Sequence, residues 1–256
     1  MLLAMDIGNT NVKIGIFKGD KLTSTWRVST VASHTADEYG MVIYDLLRQT
    51  GARFEDIKGS VMSSVAPSLN YTIEHMCTYY MGKKPLVVDH RTKLGIDIAY
   101  DNPAELGADR MVGAAAAFKF YGGPVIEVDF GSATTFNLVT AEGVYLGGAI
   151  APGIKTAAES LVHTAAKLPR IEIAAPENIV GTSTRSCMQS GIVCGYAGLV
   201  KYMVGRYKQL PEMRDAKVIA TGGLSELINE VEPDVTAIPD RALALKGWKY
   251  IYDLNR

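Results

Sequence analysis

A short motif that occurs twice constrains the fold of this chain more than any other feature. Its first copy lies in residues 2–17, where apolar runs flank the polar turn Gly8-Asn-Thr-Asn11 and Asp6 stands near the end of the first run. In the second copy, residues 126–139, Asp129 and Gly131 take the places of Asp6 and Gly8. Apolar runs joined by a short turn predict a buried β-hairpin. One such hairpin would be an ordinary Asn-rich turn, but the repeat predicts a duplicated fold.

The residue types in the two turns favour phosphate binding. An acid, a glycine that allows close approach to the backbone, hydroxyl or amide side chains and a lysine are suited to hold phosphate groups and a metal ion. We therefore expect an α/β protein with two related lobes, residues 1–120 and 121–256, each a mixed sheet flanked by helices. The phosphates are expected in a cleft that the two lobes share.

Composition narrows the functional classes. The 256 residues are 48% hydrophobic and 21% charged, which describes a soluble globular protein. A net charge of -1 without a basic run argues against nucleic acid as a partner. We find no secretory signal and no stretch long enough to span a membrane, so we expect a cytoplasmic protein. The three cysteines and four histidines lack disulfide or zinc spacing, and a transition-metal site is disfavoured.

Periodicity and capping signals predict the remaining elements. A capping box opens a helix over residues 35–50, proline begins another over 67–81, and Gly107-Ala-Asp-Arg110 starts an alanine-rich helix after a loop at 90–106. Further helices are expected at 154–166, at 184–209, after Gly222-Gly-Leu224 and at the C-terminus. Strands are expected at 21–28, 60–65, 85–89, 125–130, 134–140, 144–150, 217–221 and 235–238. Glycines in the helix at 184–209 permit close packing, within the chain or across a dimer.

Phosphoryl transfer requires phosphates held by N–H groups and cations, and a nucleophile placed in line. The first hairpin is predicted to bind the phosphates, and Asp6 to bind Mg²⁺ directly or through water. From the second hairpin we expect three further phosphate contacts. The residues of the two hairpins in this predicted site are Asp6, Ile7, Gly8, Asn9, Thr10, Asn11, Val12, Lys13, Gly131, Ser132 and Thr134.

The sequence resembles the bacterial type III pantothenate kinases, members of the actin, hexokinase and acetate kinase superfamily with ribonuclease H-like lobes. The shared segments follow the family's order along almost the whole chain. They are Asp6-Ile-Gly-Asn-Thr-Asn11, Ser63-Ser-Val-Ala-Pro67, Tyr100-Asp-Asn-Pro103, Gly107-Ala-Asp-Arg110, Val128-Asp-Phe-Gly-Ser-Ala-Thr-Thr135, Gly147-Gly-Ala-Ile-Ala-Pro-Gly153 and Thr221-Gly-Gly-Leu224.

The resemblance implies ATP-dependent phosphorylation of pantothenate, the first step of coenzyme A biosynthesis, by a homodimer. It implies that Asp109 is the catalytic base, that Asp129 binds K⁺ or NH₄⁺, and that Gly222 and Gly223 approach the adenosine. The residues that it assigns to the pantothenate pocket are Tyr100, Gly107, Ala108, Asp109, Arg110 and Thr184.

Several alternatives stay open at this point. Asp109 either caps a helix or accepts a proton, and Arg110 pairs either with the carboxylate of pantothenate or with a neighbouring acid. A non-catalytic ATP-binding accessory protein and a kinase for another small molecule have the same fold. Ser132, Asn137 and Leu94 stand where the family commonly has threonine, aspartate and threonine. The C-terminal residues 243–248 also differ modestly from the usual ending of the family, and we expect these residues to affect only packing.

Overall fold

The computed structural model describes residues 1–235 and 238–256. The chain forms two compact units. Unit 1 comprises Met1–Gly95, Asp101–Ala116 and Ala244–Arg256, and unit 2 comprises Ile96–Tyr100 and Ala117–Leu243. The division into lobes at 1–120 and 121–256 stays a prediction, because compactness alone does not show which segments fold as a lobe. None of the described helices is long and apolar enough to cross a lipid bilayer.

The strands alternate with helices along both halves of the chain. In chain order the strands are β1 (Leu2–Ile7), β2 (Asn11–Lys18), β3 (Lys21–Ser29), β4 (Gly59–Ser64), β5 (Leu86–Val87), β6 (Asp97–Ile98), β7 (Val125–Phe130), β8 (Ala133–Val139), β9 (Val144–Pro152), β10 (Lys217–Gly222) and β11 (Ile238–Pro239). The helices are α1 (Ala36–Gln49), α2 (Pro67–Met81), α3 (Ala108–Tyr121), α4 (Ile154–Thr164), α5 (Thr184–Gln189), α6 (Gly195–Tyr207), α7 (Ser225–Val231) and α8 (Leu243–Leu254).

The sheet of unit 1 has the strand order β3-β2-β1-β4-β5. Strands β1, β2 and β3 pair antiparallel, whereas β4 and β5 continue the sheet in parallel with β1. Alternate residues of β1 and β2 join residues of α1 and α2 in one apolar core on one face of this sheet. The predicted capping box is present, because the Thr35 hydroxyl accepts from the N–H of Glu38 and the Glu38 carboxylate accepts from the N–H of Thr35.

The sheet of unit 2 repeats this pattern. Its order, read from β9, is β9-β8-β7-β10-β11, and β6 adds to the outer edge of β9. Again the first three strands are antiparallel and the next two parallel to the central one. A second apolar core covers one face with residues of α4, α6 and α7. The duplication predicted from the two Asp-x-Gly hairpins is therefore confirmed at the level of strand order.

Three details differ from the sequence prediction. The loop expected at 90–106 contains β6 and a 3₁₀ turn, Pro103–Glu105, while the strand expected at 85–89 is only Leu86–Val87. A π-helical segment, Ser190–Cys194, interrupts the helix predicted over 184–209. For the strand predicted at 235–238, residues 236 and 237 lie outside the described residues. Short strands carry too few residues for a periodic pattern.

Candidate functional site

Three polar side chains of unit 1 meet on the sheet face opposite the α1 and α2 core. Because side chains alternate along a strand, Met5 and Ile7 enter the core while Asp6 points to the other face. The strand register places Asp6 opposite Lys13 on β2 and opposite Ser63 on β4. The hairpin and the parallel crossover together therefore bring an ammonium group and a hydroxyl to one carboxylate.

Both oxygens of the Asp6 carboxylate have partners. The Ser63 hydroxyl donates to Oδ1 over 3.0 Å, and Lys13 Nζ lies 3.5 Å from Oδ2. The indole Nε1–H of Trp248 in turn donates to Ser63 Oγ over 3.1 Å. The sequence analysis assigned roles to Asp6 and Lys13 but missed Ser63 and Trp248. Ser63 did lie in a quoted shared segment, whereas Trp248 was expected only to pack.

Burial raises the pKa of the Asp6 carboxyl above its ordinary value. The positive charge of Lys13 opposes this rise in the pKa, and the negative charge of Asp109 reinforces it. The Ser63 hydrogen bond lowers the pKa by stabilising the ionised form. The charges of Asp6 and Asp109 therefore act on one another within unit 1.

The turn after Asp6 presents its polar residues to solvent. The N–H of Gly8 donates to the carbonyl of Asn11 over 3.1 Å, and Thr30 braces the turn through Gly8 O and Thr10 O. Asn9 and Thr10 are exposed and can reach a ligand. The side chains of Ile7 and Val12 are buried, so only their backbone groups remain for the predicted ATP contacts.

The start of α3 carries the predicted base. Asp109 is the second helical residue, and its Oδ1 accepts from the N–H of Arg110 over 2.9 Å. A Cβ at position 107 would lie 2.6 Å from Asp109 Oδ1, so a larger residue there would displace the carboxylate from this position. Ala108 and Arg110 are buried. Asp109 therefore satisfies a donor of the first turn through Oδ1, while Oδ2 stays outside that bond, and its role as base stays a prediction.

The second hairpin has the same strand pairing around its aspartate, with a turn that is one residue shorter. The register places Asp129 opposite Thr135 on β8 and opposite Thr221 on β10, as Asp6 lies opposite Lys13 and Ser63. Ser132 is exposed at the tip, and its carbonyl accepts from Gly153 N and Thr156 Oγ1. The alternation places Thr135, which the sequence analysis did not select, on the same face as Asp129. The selected Thr134 is fully buried on the core side.

Gly222 lies against the Asp129 carboxylate. Its φ is +90°, and a Cβ there would lie 2.6 Å from Asp129 Oδ1 and 2.5 Å from the Phe130 carbonyl oxygen. The neighbouring Gly223 has open space around it. Carboxylate and carbonyl oxygens are the ligands that hard cations prefer, so the cradle formed by Asp129, Phe130 and Gly222 fits a monovalent cation.

Asp6 fits a magnesium ion that arrives with phosphate. Mg²⁺ is usually held by one or two carboxylates plus substrate phosphates and water rather than by an all-protein cage. Residues 1–235 and 238–256 contain no cluster of three or more His, Cys, Asp or Glu side chains that could hold a metal. Asp6 beside an exposed polar turn agrees with a magnesium site completed by substrate phosphates and water.

The predicted pantothenate residue Tyr100 rests on a buried polar network of unit 2. Its ring packs against that of Tyr145, with 6.2 Å between the centroids. The Tyr145 hydroxyl donates to Asn137 Oδ1 over 3.0 Å, and Asn137 Nδ2 donates to Glu127 over 2.5 Å. An amide can accept and donate at once, whereas an ionised aspartate only accepts. Asn137, where aspartate is common in the family, thus suits this particular network.

Thr184, the remaining predicted pantothenate residue, is the first residue of α5. It is exposed and lines an open pocket of about 740 Å³, together with Leu161, Leu168, Ser183, Cys187 and Ile192. The pocket combines apolar and hydroxyl groups. No contact of the described residues joins Thr184 to Tyr100, so the shared role of these two residues stays a prediction.

Comparison with known proteins decides the family. The family model described as "Type III pantothenate kinase" matches residues 2–206. A type III pantothenate kinase of Geobacillus kaustophilus is 48% identical over 255 residues, which cover 100% of this chain and 98% of that protein. The chain belongs to the type III pantothenate kinase family. The resemblance noted in the sequence is thereby confirmed.

Solved structures agree with the fold. A Campylobacter jejuni protein, provisionally named as a Baf family transcriptional activator, has a TM-score of 0.60 at 21% identity, covering 99% of this chain and 98% of that one. A ROK hexokinase from Thermus thermophilus has a TM-score of 0.52 at 12% identity, and the match covers 100% of this chain and 99% of that one. These likenesses show the fold alone, and they confirm the predicted kinase-like α/β class with two mixed sheets.

Replacing Gly222 tests the cradle around Asp129. We expect Gly222→Ala to lower the free energy of unfolding by about 2 kcal/mol or more, since alanine is disfavoured at positive φ and its Cβ would displace the Asp129 carboxylate or the Phe130 carbonyl. Urea denaturation measures this change. The matched control, Gly223→Ala, should stay within about 0.5 kcal/mol of the unsubstituted protein. Equal stability of the two variants would contradict the close approach at Gly222.

Proposed function

We propose that this chain transfers the γ-phosphoryl group of ATP to the primary hydroxyl of pantothenate, the first step of coenzyme A biosynthesis. Its membership of the type III pantothenate kinase family supports the choice of substrate. The observation that carries the proposal is that the negative charge of Asp109 helps to raise the pKa of Asp6 within unit 1. We therefore assign the two carboxylates to one site, Asp6 to the metal and Asp109 to the proton.

In the proposed step, the pantothenate hydroxyl oxygen attacks the γ-phosphorus and loses its proton to Asp109. The bond between the γ-phosphorus and the bridging oxygen breaks, and ADP leaves with the electron pair. Asp109 Oδ1 already accepts from the N–H of Arg110, so Oδ2 is the oxygen we assign to the proton. Magnesium would neutralise phosphate charge when bound, and Asp6 is the residue that would hold it.

The other residues hold and orient the substrates. For ATP we assign the exposed polar turn Gly8–Asn11 and Lys13 in unit 1, and Gly131, Ser132, Gly222 and Gly223 in unit 2. To pantothenate we assign Arg110, Tyr100 and Thr184. Arg110 would pair with a carboxylate because its guanidinium is permanently charged and forked. A homodimer is part of the proposal, and the exposed apolar residues Ile179 and Val180 near Thr184 agree with a protein contact there.

Asp129 is the residue to which we assign K⁺ or NH₄⁺. The supporting observation is the pair of oxygen atoms beside Gly222. A Cβ at position 222 would lie 2.6 Å from Asp129 Oδ1 and 2.5 Å from the Phe130 carbonyl oxygen. Carboxylate and carbonyl oxygens are the ligands that such a cation prefers. The residue opposite Asp129 on β8 is the neutral Thr135, where Asp6 has Lys13.

The test of the proposed reaction is turnover of ATP with pantothenate in different salts. We expect ADP and phosphopantothenate to form in equal amounts when Mg²⁺ is present with potassium or ammonium, and little of either with sodium alone. A coupled ADP assay and mass spectrometry of the product measure both. Binding of ATP without turnover in all three salts would contradict the proposal and favour a non-catalytic accessory protein.

Replacing the proposed base should separate catalysis from binding. Asp109→Asn should lower turnover by about a hundredfold or more, the scale of a lost general base, while ATP affinity stays similar. Steady-state kinetics and calorimetric titration measure the two quantities. The control is Asp45→Asn, which makes the same change on the exposed side of α1. Turnover unchanged in Asp109→Asn would leave Asp109 with its structural role in the first turn of α3.

A lysine opposite Asp129 should replace the external cation. We expect Thr135→Lys to raise the ratio of turnover in sodium to turnover in potassium by about tenfold, which corresponds to an ion pair of about 1.4 kcal/mol. The control is Thr135→Met, which has a side chain of similar length without the charge. If both variants need potassium as much as the parent does, the cation does not lie beside Asp129.

A further inference from the structure

The C-terminal helix reaches the Asp6 carboxylate through one intermediate residue. Trp248 on α8 and Ser63 on β4 are 1% and 0% exposed, and the indole Nε1–H donates to Ser63 Oγ over 3.1 Å. Ser63 Oγ donates to Asp6 Oδ1 over 3.0 Å. All three residues lie in unit 1. The proposed reaction described above gives Trp248 no part.

The chemistry of these groups fixes the direction of the hydrogen bonds. An indole N–H can only donate, an ionised carboxylate can only accept, and a serine hydroxyl has a single proton to give. When Trp248 occupies a lone pair of Ser63, the hydroxyl proton is directed to Asp6. Consecutive hydrogen bonds of this kind also polarise and strengthen one another in a buried environment. Because Trp248 and Ser63 are both buried, bulk water cannot replace the indole N–H as the donor to Ser63 Oγ.

The same turn of α8 packs closely against α3. A Cβ at position 247 would lie 2.9 Å from both the Val112 carbonyl oxygen and the Ala116 Cβ, so glycine allows the two helices to touch. Helix α3 carries Asp109 in its first turn. One turn of α8 therefore contacts both the strand beside Asp6 and the helix that presents Asp109.

We propose that Trp248 is a positioning residue for the Asp6 carboxylate and acts through the Ser63 hydroxyl. The inference rests on the proposed function, because it assumes that Asp6 serves Mg²⁺-bound ATP. Trp248 lies beyond residues 2–206, the part of the chain that the family model matches. If Trp248 positions the Asp6 carboxylate, replacing Trp248 should weaken the binding of MgATP and leave the binding of pantothenate unchanged.

The first test compares the two tryptophans of the chain. Trp248→Phe keeps an aromatic ring but removes the donor to Ser63, and Trp26→Phe makes the same change on β3. We expect Trp248→Phe to weaken MgATP binding about fivefold or more, with the KM for pantothenate changed less than twofold, and Trp26→Phe to weaken neither. Calorimetric titration of MgATP without pantothenate gives the first value. Equal affinities in the two variants would overturn the proposal.

A double-mutant cycle tests the path through Ser63. If Trp248 acts through that hydroxyl, Ser63→Ala combined with Trp248→Phe should bind MgATP no more weakly than Ser63→Ala alone. Additive losses would overturn the path.

Fluorescence gives a readout that needs neither turnover nor substitution of Trp248. In the Trp26→Phe protein, Trp248 is the single tryptophan, and its emission should shift on adding MgATP. The shift should disappear in Trp26→Phe/Ser63→Ala. A shift that persists without the Ser63 hydroxyl, or no shift in either protein, would overturn the proposal. Because these titrations omit pantothenate, they can succeed even if the pantothenate reaction fails.

Discussion

The alternation of side chains along paired strands is the constraint on which this structure depends. In β1 the core residues Met5 and Ile7 and the polar Asp6 must lie on opposite faces, and a shift of register by one residue would exchange them. Burial of the apolar face fixes the register, so the same apolar contacts that stabilise the fold also determine where Asp6 lies. Strand β7 repeats the arrangement with Val128, Phe130 and Asp129.

The position of Asp6 has a cost in stability. Its pKa is raised, mainly by burial, so the native state holds this proton to a higher pH than the unfolded chain does. Between the ordinary pKa and the raised value, the free energy of unfolding therefore decreases as pH rises. Lys13 and Ser63 limit this loss because both favour the ionised form.

The sequence predicted most of this arrangement where the signal was local. The two hairpins, the capping box at Thr35 and the helix start at Gly107 each depend on residues close together in the chain, and each was found. The contact between Ser63 and Trp248 joins residues 185 positions apart, and no local pattern indicates it. Thr134 was selected from its place after the turn, whereas the strand register decides which of Thr134 and Thr135 lies on the same face as Asp129.

Duplication gave the two hairpins one geometry, and single residues then gave them different chemistry. Asp6 and Asp129 occupy equivalent strand positions, each with a hydroxyl residue on the parallel neighbour, Ser63 and Thr221. They differ at the antiparallel neighbour, where unit 1 has Lys13 and unit 2 has Thr135. The duplicated fold therefore keeps the same strand pairing around both aspartates, while a single strand position sets whether a charged or a neutral side chain lies opposite the carboxylate.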